Sequence, residues 1–259
     1  MNKTYYICKY TPIELLEALG AECVNPNGMP EGFEQAEQIA HPNLCGFGKS
    51  LIELAMNGTI HELVLVDCCD TIRAVYDILA DWGKLDYLYM IDILHSGGAC
   101  SRERVTAQLE AFAESYAAYR GAAFDEAVFR SAFRPAAKPE GPHLKVLGAR
   151  MGDELFEMTQ RSMPLPVENA TCVNNRSLGS AQPPEGLDFH ALMSWYAGEL
   201  LAQVPCMRMT DNAGRKVLLN DPDLRGVIYH TVKFCDFYSF EYSAIKQKIS
   251  QPLLKIESD

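Results

Sequence analysis

The residues with most chemistry to offer in this chain are its nine cysteines, at positions 8, 23, 45, 68, 69, 100, 172, 206 and 235. Their number is odd, and the N-terminal stretch from Met1 to Cys8 lacks the long apolar core of a secretion signal. A cytoplasmic, reducing setting is therefore expected, and disulfides are a poor account of them. One alternative is that cysteine serves as a small buried hydrophobe, a role that suits Cys8 on an expected first strand and Cys23 on a second. Cys45, Cys69 and Cys235 differ: each falls at a strand end or helix start, where amide donors and the helix dipole favour a thiolate. Soft thiolates gathered over long range suit an iron–sulfur cluster, and three of them leave one iron open to an exogenous ligand.

Other site chemistries fit less well. Neither Cys-x-x-Cys nor Cys-x-x-x-His occurs, the histidines at 41, 61, 95, 143, 190 and 230 are scattered, and no Gly-x-Ser-x-Gly elbow is present. Gly46-Phe47-Gly48-Lys49-Ser50 ends like a phosphate-binding loop, but Asn43 stands where that motif needs its first glycine, and no strand runs directly into it.

The elements that would position the cysteines alternate strand and helix. Strands are expected at residues 5–8, 21–24, 63–66 and 86–94. The third ends in Asp67-Cys68-Cys69-Asp70, and adjacent cysteines point differently, so one should face a site while the other packs. A helix from about Pro42 would carry Cys45 in its first turn. Residues 101–136 read as helical, and residues 135–142, with three prolines and a glycine, as a linker. Beyond it come strands at 144–147 and near Val167, helices at 153–161 and 190–201, an apolar β-branched run from Gly226 that delivers Cys235 and Asp236, and a last strand from Pro252. With 259 residues there is length for two cores. The expected fold is α/β: two doubly wound parallel sheets, with an N-terminal domain over 1–100, bridging helices and linker over 101–142, and a C-terminal domain over 143–259. Ligands of such sheets bind beyond the carboxyl ends of the strands.

A net charge of −11, with no run of Lys or Arg longer than two, argues against nucleic acid and against a polybasic membrane anchor. No segment approaches the ~20 apolar residues of a membrane span.

Asn43-Leu44-Cys45-Gly46-Phe47, Cys69-Asp70, Thr171-Cys172 with Arg176, Pro205-Cys206-Met207-Arg208, Phe234-Cys235-Asp236 and the block from Pro252 to Asp259 together carry a resemblance over nearly the whole chain. The chain resembles the D-component subunits of the 2-hydroxyacyl-CoA dehydratase and benzoyl-CoA reductase family, as a short member that lacks much of the helical segments flanking the family's two halves. The resemblance implies two Rossmann-like halves and a [4Fe-4S] cluster, ahead of a double-cubane one, on Cys45, Cys69 and Cys235. Cys68 is the rival of Cys69, and Cys172 and Cys206 are further thiols near the site. It also implies a lyase-type subunit working on an acyl-CoA thioester by ketyl-radical dehydration or a related low-potential reduction. Its partners would be a second family subunit or another copy, and an ATP-dependent iron–sulfur activator. The alternative is a short member that holds a cluster for electron transfer or assembly.

Overall fold

The computed structural model describes residues 3–26, 28, 30–135 and 137–259. Met1, Asn2, Asn27 and Met29 of the expected 1–100 domain, and Ala136 of the expected 135–142 linker, lie outside the described residues.

The first half runs β1 (Lys3–Tyr6), α1 (Ile13–Ala18), β2 (Glu22–Val24), α2 (Ala36–Ile39), α3 (Gly46–Met56), β3 (Glu62–Val66), α4 (Asp70–Trp82) and β4 (Tyr87–Ile91). Its strands form one parallel sheet in the order β2-β1-β3-β4. All five residues of β3 are buried, as a strand covered on both faces requires. Two helices follow, α5 (Ala99–Arg120) and α6 (Glu126–Ser131). The stretch expected to be helical thus holds two helices among the described residues. Gly121 takes a left-handed conformation (φ 62°) that ends α5, and the Asp125 carboxylate accepts the Ala127 and Val128 amides to start α6 afresh.

The second half runs β5 (His143–Gly148), α7 (Asp153–Ser162), β6 (Val167–Asn169), α8 (Phe189–Ala202), a 3₁₀ helix (Ala213–Leu219), β7 (Leu224–Val232), α9 (Asp236–Lys246) and β8 (Leu253–Ser258). Its strands make a second parallel sheet, β6-β5-β7-β8. The fold is therefore α/β, with two four-stranded all-parallel sheets flanked by helices. In each, strand order reverses between the two central strands, which opens a crevice at their carboxyl ends.

The two halves are sewn together. Helix α8 follows the linker in sequence yet packs along α5, and its Leu192, Met193, Tyr196 and Leu200 join the core that holds Leu15 and Leu16 of α1. Beneath it, Arg176 from the loop after β6 pairs with the buried Glu14 of α1, which also accepts the Tyr196 hydroxyl at 2.5 Å. The second sheet's own apolar clusters are smaller.

Candidate metal centre

The strands of each sheet are parallel, so all the segments leaving one edge are strand exits. Ile7, Cys8 and Lys9 leave β1, Cys68 and Cys69 leave β3, Ala149 and Arg150 leave β5, Cys172 leaves β6, and Cys235 leaves β7. All of them line one cavity of about 130 Å³, together with Cys45 and Cys206. The two sheets thus turn their carboxyl edges toward a shared space, and seven thiols face it: Cys8, Cys45, Cys68, Cys69, Cys172, Cys206 and Cys235. Cys23 and Cys100 are not among its lining residues.

Three of these cysteines share one position relative to a helix. Cys45, Cys69 and Cys235 are the N-cap residues of α3, α4 and α9. The helix expected from about Pro42 begins only at Gly46, so Cys45 caps it rather than standing inside its first turn. The backbone N–H three residues on, of Gly48, Ile72 and Tyr238 respectively, acts on each sulfur to stabilise a thiolate. None closes a full capping hydrogen bond, and burial competes with them. Burial pushes the Cys45 thiol up, and pushes Cys235 up to about 12. Only Cys69 is held below the ordinary thiol range, first by a hydrogen bond from Cys68 and then, against its own burial, by the Ile72 amide. The thiolates expected from dipoles alone are therefore not the resting state of all three in the metal-free chain, because desolvation of a sulfur anion outweighs one amide. A metal reverses that balance by taking the place of the proton.

Cys68 keeps its proton, since hydrogen bonds toward Cys69 and Cys8 and its burial all raise its pKa. The expected division of labour between Cys68 and Cys69 is not seen, because both line the cavity. Cys172 is pushed up to about 12 by burial, and the Cys206 sulfur lies 3.6 Å from the Tyr238 hydroxyl.

Cys8 is buried in the first core, as expected of a packed thiol, but it stands beyond the strand and also lines the cavity. Strand β1 ends at Tyr6, so the chain has left the sheet before Cys8 and carries it to the crevice. Sequence patterning could not find it, because a buried thiol facing a cavity and one facing a core look alike.

The cavity wall is cationic as well as thiol-rich. Lys9, 1% exposed, donates to Asn175 Oδ1 at 2.7 Å and to the Val204 carbonyl, and burial lowers its pKa to about 8. Arg150 stacks over the Phe47 ring at 4.3 Å, and Arg208 stacks over Phe237 at 4.7 Å while reaching Asp70 Oδ1 at 3.3 Å. Each ring stands two residues after a helix-capping cysteine. Asp70 turns to Arg208, and Glu241 is buried against Arg215 (2.8 Å) and the Tyr229 hydroxyl (2.6 Å), so neither carboxylate turns to the thiols.

Among the described residues no three cysteine sulfurs lie within 4.8 Å of one another. A mononuclear thiolate site would need that closeness, since Zn–S bonds of about 2.3 Å put tetrahedral sulfurs about 3.8 Å apart. The ligands of a cubane stand on different irons, with sulfurs about 6.5 Å apart, so a cubane does not ask for that closeness. By chemistry, soft sulfur beside an apolar wall with nearby cations to offset anionic charge, the donor set is of the kind that holds a cluster.

Parallel sheets meeting at a thiol-lined crevice define a two-halved α/β protein with a cysteine-rich cavity between its sheets. The chain belongs to the family described as 2-hydroxyglutaryl-CoA dehydratase, D-component, which it matches over residues 8–175 and 130–259. No curated protein matches the chain. No helix among the described residues is long and apolar enough to cross a membrane.

Proposed function

We propose that this chain is the iron–sulfur subunit of a low-potential reductive enzyme, with Cys45, Cys69 and Cys235 as ligands of a [4Fe-4S] cluster. Its reaction is a lyase-type dehydration of a 2-hydroxyacyl-CoA or a related reduction of an acyl-CoA thioester. One observation carries this reading: three helix-capping cysteines from both halves line a single apolar cavity in a chain of the dehydratase family. The cluster, when bound, supplies single electrons at low potential and an open coordination position. The protein's own residues orient and shield it. The Gly48, Ile72 and Tyr238 amides act on the three sulfurs, Phe47 and Phe237 with their stacked arginines keep water out, and Lys9 offsets anionic charge. A second subunit or another copy, and an ATP-dependent activator, complete the working assembly.

The test is anaerobic iron and sulfide analysis with electron paramagnetic resonance, followed by turnover with activator, ATP and a panel of acyl-CoA thioesters. About four irons per chain and elimination of water from a 2-hydroxyacyl-CoA are expected. A chain with full iron but no turnover would instead be a carrier of electrons or of clusters.

A second reading has its own support. Cys8, Cys68, Cys172 and Cys206 also face the cavity, more thiols than one cubane uses, which favours a double-cubane cluster. About eight irons per chain, lost in part when Cys172 or Cys206 becomes serine, would decide for it.

A further inference from the structure

At the opposite, amino-terminal edge of the second sheet, three ligand-type side chains converge on one point. His143 opens β5, Glu168 lies on β6 beside it, and Asp221 sits in the turn that leads into β7. His143 Nε2 is 3.3 Å from Asp221 Oδ2 and 3.6 Å from Glu168 Oε2, and the three atoms all lie within 4.8 Å of one another.

The imidazole is the telling group. Its side chain is 4% exposed, and Nδ1 lies 2.9 Å from the Gly141 carbonyl. A carbonyl can only accept, so Nδ1 carries a hydrogen, and in the neutral tautomer this contact selects, the Nε2 lone pair turns toward two carboxylate oxygens. Nε2 is nevertheless buried without any hydrogen-bond partner. Of these three acceptors, the Lys145 ammonium reaches the two carboxylate oxygens, at 3.0 and 3.5 Å, and leaves Nε2 unserved. A proton on Nε2 does not serve, since neither oxygen lies where an N–H would aim. A metal on the lone-pair axis does: with Zn–N and Zn–O bonds of about 2.0–2.1 Å, tetrahedral ligands stand about 3.3 Å apart and about 35° off that axis. The observed 3.3 and 3.6 Å separations match.

We infer that His143, Glu168 and Asp221 form a binding site for a divalent transition ion of the zinc type, separate from the cysteine cavity, which pins β5 and β6 to the turn before β7. The outer contacts suit the role. The Gly141 carbonyl fixes the imidazole tautomer, and the Asp223 amide donates to Asp221 Oδ1 at 3.0 Å, holding Oδ2 toward the site. Glu168 and Asp221 are partly exposed, which leaves a path for entry. Lys145 is the competitor. Its ammonium lies 3.0 Å from Glu168 Oε2 and 3.5 Å from Asp221 Oδ2, and it also reaches the Leu218 carbonyl at 3.3 Å. Two carboxylates and one ammonium leave the group with one net negative charge, so an ion can enter as Lys145 withdraws to Leu218. The smaller apolar clusters of this half give such a staple something to add.

The test is a Co²⁺ titration of the anaerobically isolated full chain carrying its iron, followed by difference absorption. One equivalent is expected to give ligand-field bands with no thiolate-to-cobalt charge transfer, and Zn²⁺ should displace it while raising the unfolding temperature. His143→Gln and Asp221→Asn should each abolish the bands and the zinc-dependent shift without lowering the iron content. Lys145→Gln should bind about tenfold more tightly, because a repelling charge beside the ion is gone. Bands that persist in both variants, bands carrying sulfur charge transfer, or an unfolding temperature of the unaltered protein indifferent to zinc would each overturn the assignment.

Discussion

At the scale of single residues, the chemistry of the cavity is set by a contest between burial and partners. If Cys45, Cys69 and Cys235 hold the cluster, replacing any one by serine should remove most of the iron, as measured by iron analysis of anaerobic preparations. Cys23→Ala should keep its iron and cost about 1 kcal/mol of packing, because Cys23 is outside the cavity lining and its sulfur reaches only the Ile13 carbonyl. Lys9 gives a pH signature. Its pKa is lowered from 10.5 to about 8, so between those values the unfolded chain binds more protons than the folded one. Stability contributed at this site must then rise with pH across that window, as the buried ammonium gives up its proton. Urea midpoints of the wild type and Lys9→Met, compared from pH 7.5 to 10.5, should show the wild type gaining on the variant; a constant difference would refute the shift.

At the scale of elements, the site depends on how strands end. Gly148 closes β5 at φ +101°, and a Cβ placed there would lie 2.1 Å from the His230 carbonyl of β7. Gly148→Ala must therefore part β5 from β7 or bend the exit that carries Ala149 and Arg150 to the cavity. The expected loss is about 3 kcal/mol, read from chemical denaturation, with reduced iron retention alongside it. A second strained point precedes the third capping cysteine: Phe234 is the one non-glycine residue with positive φ (66°) among the described residues. It turns the chain so that the Cys235 amide donates back to the Val232 carbonyl at 2.9 Å and α9 can begin. Phe234→Gly should relieve up to about 1 kcal/mol of that strain, seen as a higher melting temperature.

At the scale of the molecule, the cavity exists because the two halves are held in register. The buried Glu14, Arg176 and Tyr196 group spans them, and Arg176 Nη1 also donates to the Thr11 carbonyl at 3.0 Å. Arg176→Met should cost about 3–5 kcal/mol, because Glu14 would be left as an uncompensated buried charge. Removing Arg176 and Glu14 together as Met and Gln should restore part of that loss, a double-mutant comparison that separates pairing from packing.

Local sequence carried the alternation of strand and helix and the parallel α/β class, and it picked out Cys45, Cys69 and Cys235 as residues at helix starts. Those features are local: β-branched runs, helical spacing of apolar residues, and a cysteine just before α3, α4 and α9 are all read within a dozen residues. Family membership was legible for the same reason, in short blocks around the cysteines. Only the tertiary structure decided that Cys8, expected within a strand, lies beyond its end and faces the same cavity. The same holds for α8 crossing to the first core and for burial outweighing the amides at Cys45 and Cys235. Each depends on which distant surfaces exclude water from a given atom, and desolvation has no imprint in local spacing. His143, Glu168 and Asp221 make the same point: a histidine and two acids with no motif spacing meet because β6 lies beside β5 and the turn into β7 ends next to both.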